Sequence, residues 1–480
     1  MAVTAPPVPE VKFAQPVYST RALVGSALGP LAAVAIWFAP LSLEPPAQQA
    51  LAVVAFMIVY WIAEPIDHGL TAITGCFLFW ALNIAAFEVA FSGFADSTPW
   101  FLYGGLLMGE AAASTGLARR IGYFIMGLVG VSYSRLLMSV ILVVVTLNFL
   151  IPSGMAQVAV LAPILMGIVA AFGVAPLSNI GRGLFVLVTY TCGLFNKMIL
   201  SGASSILTRG TVERLSGETV YWAEWLIAFL PMTIVTIFAC WFIVLWLYPP
   251  EKKELPGGRQ YIQDAVASLG PWTIEEKKTL AWMLIAIGLW STDLLHHINP
   301  AKVAMGTGLA IALPKIGVLP TKAVKRVNLL LIVFMAGALS MGEVLVQTNA
   351  IQVLTGAAMS WMTPLLGEPF LSTIVLFWTG FFYHFFLGSE LSMLSTSLPV
   401  IVNYASTQGF DIKAISLIWN FSTTSKIFVY QSSVLMLGYA YGYFETKDLL
   451  KLGFALTIVE GILLSLLVPL YWPLIGLWTR

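Results

Sequence analysis

Apolar segments long enough to cross a lipid bilayer recur along nearly the whole chain, and no other property narrows the possible fold so far. A membrane-spanning helix needs ~20 mostly apolar residues. Runs of that kind lie at 21–41, 48–66, 70–87, 99–117, 183–200, 221–248, 279–298, 301–318, 328–347, 412–430 and 452–475. Of the 480 residues, 59% are hydrophobic and 10% charged, against ~45–50% apolar and ~25% charged in soluble domains. That excludes a water-soluble, disordered or fibrous chain and predicts an all-α polytopic membrane protein. The net charge of +1 gives no reason to expect a nucleic-acid partner. Cys76, Cys192 and Cys240 lie in apolar runs without CxxC spacing and read as buried thiols, not a disulfide frame or a zinc site.

Two regions do not fit single spans. Residues 135–173 hold two apolar arms about Ile151-Pro-Ser-Gly, and 370–406 hold two arms about Leu387-Gly-Ser-Glu. An arm, a Pro/Gly/Ser tip and a second arm predict a re-entrant helical hairpin, because irregular backbone at membrane depth survives only where it lines a protein cavity. The expectation is about eleven transmembrane helices plus two hairpins. Residues 1–20 are Pro-rich and not apolar, so they read as a cytoplasmic tail and not as a signal peptide. With that tail inside, most Lys and Arg fall in inside loops, as the positive-inside rule requires. The long polar stretch 249–278 then reads as a cytoplasmic linker between two halves, 21–248 and 279–480.

The halves repeat. Trp61-Ile-Ala-Glu64 with His68 matches Trp290-Ser-Thr-Asp293 with His297, and Met108-Gly109-Glu110 matches Met341-Gly342-Glu343. Residues 148–164 lie without gaps on 384–400, sharing Phe149/Phe385, Ser153/Ser389 and Pro163/Pro399. Lys197 precedes Ser204-Ser205 much as Lys426 precedes Ser432-Ser433. On the assigned topology the two halves start on opposite sides, so the repeat is inverted. Inverted repeats with interrupted helices mark secondary transporters that bind substrate near the membrane midplane.

The candidate binding residues follow from the interruptions. Ser153-Gly154 and Ser389-Glu390 present hydroxyls and free backbone N–H groups where a second helical arm begins, and its positive dipole end favours an anion. The bland alternative is serines that cap their own arms. Broken helices are expected at 183–216 and 412–443, with Ser204, Ser205, Ser432 and Ser433 at the breaks; the alternative there is serines bonding back to the preceding turn. Lys197 and Lys426 are the sharpest signal. An unpaired ammonium at the bilayer centre costs ~3 kcal/mol or more, so each must face a cavity or a partner; the alternative is snorkelling to the interface. Glu390 is a pairing or proton-carrying candidate, and His384 and Asn148 are polar candidates beside the tips. Glu110, Glu343, Glu64 and His68 read as structural or edge residues. No catalytic, metal-binding or phosphate-binding motif is present in the sequence.

These residues resemble a known family. GFADSTPWFLYGGLLMGEAAASTGLARRIGY (93–123) is similar to the divalent anion:sodium symporter family, above all in Thr-Gly-Leu-x-x-Arg. GYAYGYFETKDLLKLGF (438–454) resembles that family's Gly-rich end of a broken helix, and 204–231 looks like its citrate and dicarboxylate branch. The resemblance implies an elevator-type carrier of small anions such as succinate, malate, citrate or sulfate, a homodimer, in a bacterial-type inner membrane. It also implies sodium ions at hairpin tips that usually read Ser-Asn-Thr. Here the tips read Ser153-Gly154-Met155 and Ser389-Glu390-Leu391, and a lysine stands before each break. The expectation is therefore a small anionic substrate, no cofactor, and sodium-independent exchange or proton coupling, with Lys197 and Lys426 standing in for sodium. A sodium-coupled symporter and an anion channel are the alternatives.

Overall fold

A computed structural model describes residues 19–387 and 389–478. The expected tail lies largely outside the described residues, as does Gly388 of the second hairpin tip. Among the described residues the chain is all helical apart from loops and one isolated bridge, Ser132 to Glu254. Six helices are long and apolar enough to cross a membrane, including Thr20–Phe38, Pro45–Ala63, Trp222–Leu247, Leu329–Gln347 and Thr446–Leu470. Other expected spans are broken, as at 183–200 and 412–430, or form shorter helices such as His68–Ala81 and Pro300–Ala312, or helices of lower apolar content such as Ser97–Thr115 and Ile274–Ser291.

Each expected hairpin region holds two helices about an irregular tip. Tyr133–Asn148 and Gly154–Phe172 make the first, and Pro369–Tyr383 and Glu390–Gln408 the second. Each second arm carries a proline, Pro163 or Pro399, and ends on a left-handed glycine, Gly173 (φ 64°) or Gly409 (φ 72°). A side chain there would be strained, so glycine sets the stop. Each expected broken-helix region likewise holds two helices about an interruption. Asn179–Leu194 and Ala203–Ser216 flank the first break, and Ile412–Ser422 and Ser433–Ala440 flank the second.

The repeat is visible in packing. His68–Ala81 packs on Leu329–Gln347, and its counterpart pair is Pro300–Ala312 on Ser97–Thr115. Ala203–Ser216 packs on the second hairpin's Glu390–Gln408 arm, while Ser433–Ala440 packs on the first hairpin's Gly154–Phe172 arm. The second piece of each broken helix therefore leans on the hairpin of the other half, while the first piece packs on the hairpin of its own half. Small residues permit the closest crossings: a Cβ on Gly308 would lie 2.7 Å from Gly104 Cα, so the two backbones touch.

Two elements differ from the sequence expectation. Leu117–Val129 is a separate helix of 13 residues, too short to cross a bilayer. The 249–278 stretch is a structured clasp. It contains the helix Gly258–Ser268, which packs on Leu117–Val129. Arg120 is buried there and donates to Glu276 Oε1 at 2.7 Å and to the carbonyls of Leu269, Gly270 and Pro271. The apolar interior forms a large core around hairpins and breaks and a smaller one uniting residues 47–90 with 334–351.

Candidate functional site

The two breaks and the second hairpin tip meet at a buried ion cluster. After Leu194 the first broken helix tightens into one 3-10 turn, Phe195–Lys197, and resumes at Ala203. The second opens after Ser422 and resumes at Ser433. Lys197 leaves the first break and Lys426 the second, both almost fully buried at 0% and 3% exposure. Glu390, in the first turn of the second hairpin arm, stands between them. Its Oε2 accepts from Lys426 Nζ at 2.7 Å and lies 3.1 Å from Lys197 Nζ. Lys197 Nζ also donates to Ser204 Oγ. Three ions that could not be buried singly are buried together because the pairing offsets their desolvation. Two ammoniums and one carboxylate leave one positive charge.

Around the cluster the irregular backbone is braced by amides. Gln157 donates to Ile151 O at 2.8 Å and to Asn148 Oδ1 at 3.1 Å, closing the first tip. Ser201 Oγ, in the first break, donates to Asn148 O at 2.5 Å. Gln431 does the matching work at the second break: its Oε1 accepts from Ile427 N at 2.8 Å and Phe428 N at 2.9 Å, and its Nε2 donates to His384 O at 3.5 Å. Backbone carbonyls at the first tip, and both N–H and C=O groups at the second break, are satisfied this way. Gly154 sits where no side chain fits, since a Cβ would come within 2.9 Å of Cys192 O and 3.0 Å of Val434 Cγ2.

The structure distributes the sequence candidates in three groups. Lys197, Lys426, Glu390 and Ser204 form the cluster. Ser389 and Ser433 line an open cleft of about 240 Å³, with Met155 from beside the first tip. The remainder are held by their own elements. Ser153 accepts from Ala156 N at 3.4 Å and Ser432 from Val434 N at 3.3 Å, each capping its helix. Ser205 Oγ donates to Asn196 O at 3.2 Å, and Asn148 is a brace. His384 is fully buried with neither ring nitrogen bonded. The opposite wall of the cleft is Glu64, Asp67 and His68, with Asn328. Glu64 and His68 read as edge residues from sequence, and their repeat with Asp293/His297 was the available signal, while Asp67 and Asn328 were missed. Glu110 and Glu343 pair with Arg326 and Arg214 at 2.5 and 3.1 Å, as structural residues do. Gln157 and Gln431 were missed; the signal was an amide beside each interruption.

Comparison with known proteins adds to this geometry. The profile of the family described as Sodium:sulfate symporter transmembrane region matches residues 24–478. A protein of Cupriavidus necator named only as a membrane protein is 28% identical, over 93% of both chains. The citrate/succinate antiporter of Escherichia coli K12 is 24% identical, over 94% of this chain and 98% of its own. The YdaH transporter of Alcanivorax borkumensis shares the fold, with a TM-score of 0.56 at 16% identity, over 95% of this chain and all of that one.

Proposed function

The chain belongs to the family of the sodium:sulfate symporter transmembrane region, and from that membership we propose that it is a secondary carrier of small di- or tricarboxylate anions in a bacterial inner membrane. It is a transporter and not an enzyme, as its family and relatives are. The observation that carries the substrate reading is the Lys197–Glu390–Lys426 cluster. It lies where both breaks and a hairpin tip converge, which is where such folds bind substrate. Glu390 is a tethered carboxylate: it occupies between the ammoniums the place that a substrate carboxylate takes. Substrate enters by the cleft beside Ser389 and Ser433, displaces Glu390, and finds fixed cations in place of bound sodium. This supports anion exchange, since the empty site must recover its own carboxylate before the domain returns.

The moving domain in this reading comprises 135–250 and 370–445, and the scaffold, 21–90 and 279–326, dimerises and faces the cytoplasm with its N-terminus. The small core that joins 47–90 to 334–351 extends the scaffold to Leu329–Gln347. Proteoliposome uptake of labelled citrate and succinate tests the reading, with sodium replaced by choline and with or without internal substrate. The expected result is sodium-indifferent uptake, stimulated from the trans side and lost in Lys197→Ala and Lys426→Ala. Uptake that vanishes in choline and returns with sodium would place sodium, not lysine, in the charge-compensating role. Flux without saturation or counterflow would make the protein a channel.

A further inference from the structure

Among the described residues, a buried acidic group that the transport reading does not use lies outside the ion cluster. Glu460 lies midway along Thr446–Leu470 and is 0% exposed. Its Oε2 is 2.7 Å from Thr424 Oγ1, and its Oε1 has no hydrogen-bond partner. The corresponding helix of the first half, Trp222–Leu247, carries as its acid only Glu224, paired with Lys413 at 3.2 Å. Glu460 is thus an acid with no counterpart and no salt bridge.

The hydrogen count at Thr424 says which form it takes. The Thr424 hydroxyl has one proton and two acceptors in reach, Phe421 O at 2.8 Å and Glu460 Oε2 at 2.7 Å. Both contacts are good hydrogen bonds only if the carboxyl supplies the second proton. Glu460 O–H then donates to Thr424 Oγ1, which donates to Phe421 O. An ionised carboxylate with an orphan oxygen in this setting would carry a penalty of several kcal/mol. The facing groups give no alternative partner. They are Tyr190, whose hydroxyl donates to Thr424 O at 3.4 Å, and Cys240. From Pro369–Tyr383 the neighbour is the Phe377 ring beside Gly461. Among the described residues the cation whose charge reaches it is Lys426, and Glu390 holds that lysine at 2.7 Å.

We propose that Glu460 is a proton-binding site of the carrier, protonated in this state and linked through Lys426 to the anion site. The inference rests on the anion-binding reading above for its coupling half only. Loss of the Glu460 proton to bulk water leaves a second carboxylate whose charge acts on Lys426. That carboxylate competes with the substrate anion for the ammonium, so the deprotonated form binds anion more weakly. Linkage is reciprocal: a bound anion holds the proton on Glu460.

Infrared spectroscopy of the purified protein tests protonation without substrate. A protonated-carboxyl C=O band is expected at neutral pH, absent in Glu460→Gln and moved to the position of an unbonded acid in Thr424→Val. No such band in the unaltered protein overturns the proposal. Thr424→Val serves where Glu460→Gln does not fold, because an ionised Glu460 would show no acid band in either background. Succinate binding in the alkaline range, where succinate is fully ionised, tests coupling. Affinity should fall as pH rises through the Glu460 titration, by up to roughly tenfold per pH unit, and fall less steeply in Glu460→Gln. The same slope in Glu460→Gln overturns the linkage. Succinate that binds at no pH, with the acid band intact, would instead remove the substrate reading and leave the proton site.

Discussion

Glu390 holds two cations that the fold brings from opposite halves of the chain. Glu390→Gln leaves two buried ammoniums without an anion, and removing one partner of a buried pair costs ~3–5 kcal/mol. The variant is expected to unfold at lower temperature than the parent and to gain more stability from added citrate, since substrate carboxylates then meet no competitor. Thermal shift with and without citrate measures both, and an unchanged gain would show that Glu390 does not occupy the substrate's place. Ser153 and Ser389 separate in the structure, one a cap and the other on the cleft. Ser389→Ala should weaken citrate binding by about tenfold, the worth of one hydrogen bond to a charged group, while Ser153→Ala lowers stability by ~1 kcal/mol. Isothermal titration and a melting curve on each variant check the split. The sequence showed both lysines, because an ammonium inside an apolar run has few places to go. It did not show that they share one carboxylate, because Glu390 and Lys197 lie in different halves of the chain and side-chain pairing has no local signature.

At the scale of elements, the hairpins and breaks were legible because Pro, Gly and paired Ser interrupt otherwise apolar runs. What was illegible is what holds them. Gln157 and Gln431 satisfy backbone that the interruptions free, and a lone Gln in an apolar stretch reads equally well as surface. Gln157→Leu and Gln431→Leu keep the volume and remove the brace. Each should cost ~1–3 kcal/mol and raise amide exchange at its own tip or break, which hydrogen-exchange mass spectrometry resolves. Exchange unchanged at both would mean the breaks are held by packing alone. Leu117–Val129 and the 249–278 clasp escaped for a different reason. Helices of 13 and 11 residues fall below the length at which apolar content speaks, and the Arg120–Glu276 pair that fastens them joins residues 156 positions apart.

For the whole molecule, the exchange of partners between halves makes the two hairpins and two breaks a single packed unit. The cleft divides that unit from the wall of Glu64, Asp67 and His68. If transport moves one against the other, fastening them must stop it. Met155→Cys and Leu330→Cys line the two sides of the cleft. Bridging them with a bifunctional thiol reagent should abolish uptake in proteoliposomes, and cleavage of the linker should restore it. Full uptake in protein verified as cross-linked would remove the moving-domain reading. The overall plan was readable from the repeat, while the cleft wall was not, since it is built by residues at turn positions whose neighbours only the fold supplies.

The single positive charge left on the buried cluster has an electrical meaning. With a dicarboxylate bound, the same cluster carries one negative charge. A charge moved through the full membrane potential exchanges about 2.3 kcal/mol per 100 mV. A negative interior therefore draws the empty site inward and pushes the loaded site outward. Swapping one dicarboxylate for another is electrically silent, whereas net movement of substrate in one direction is a current.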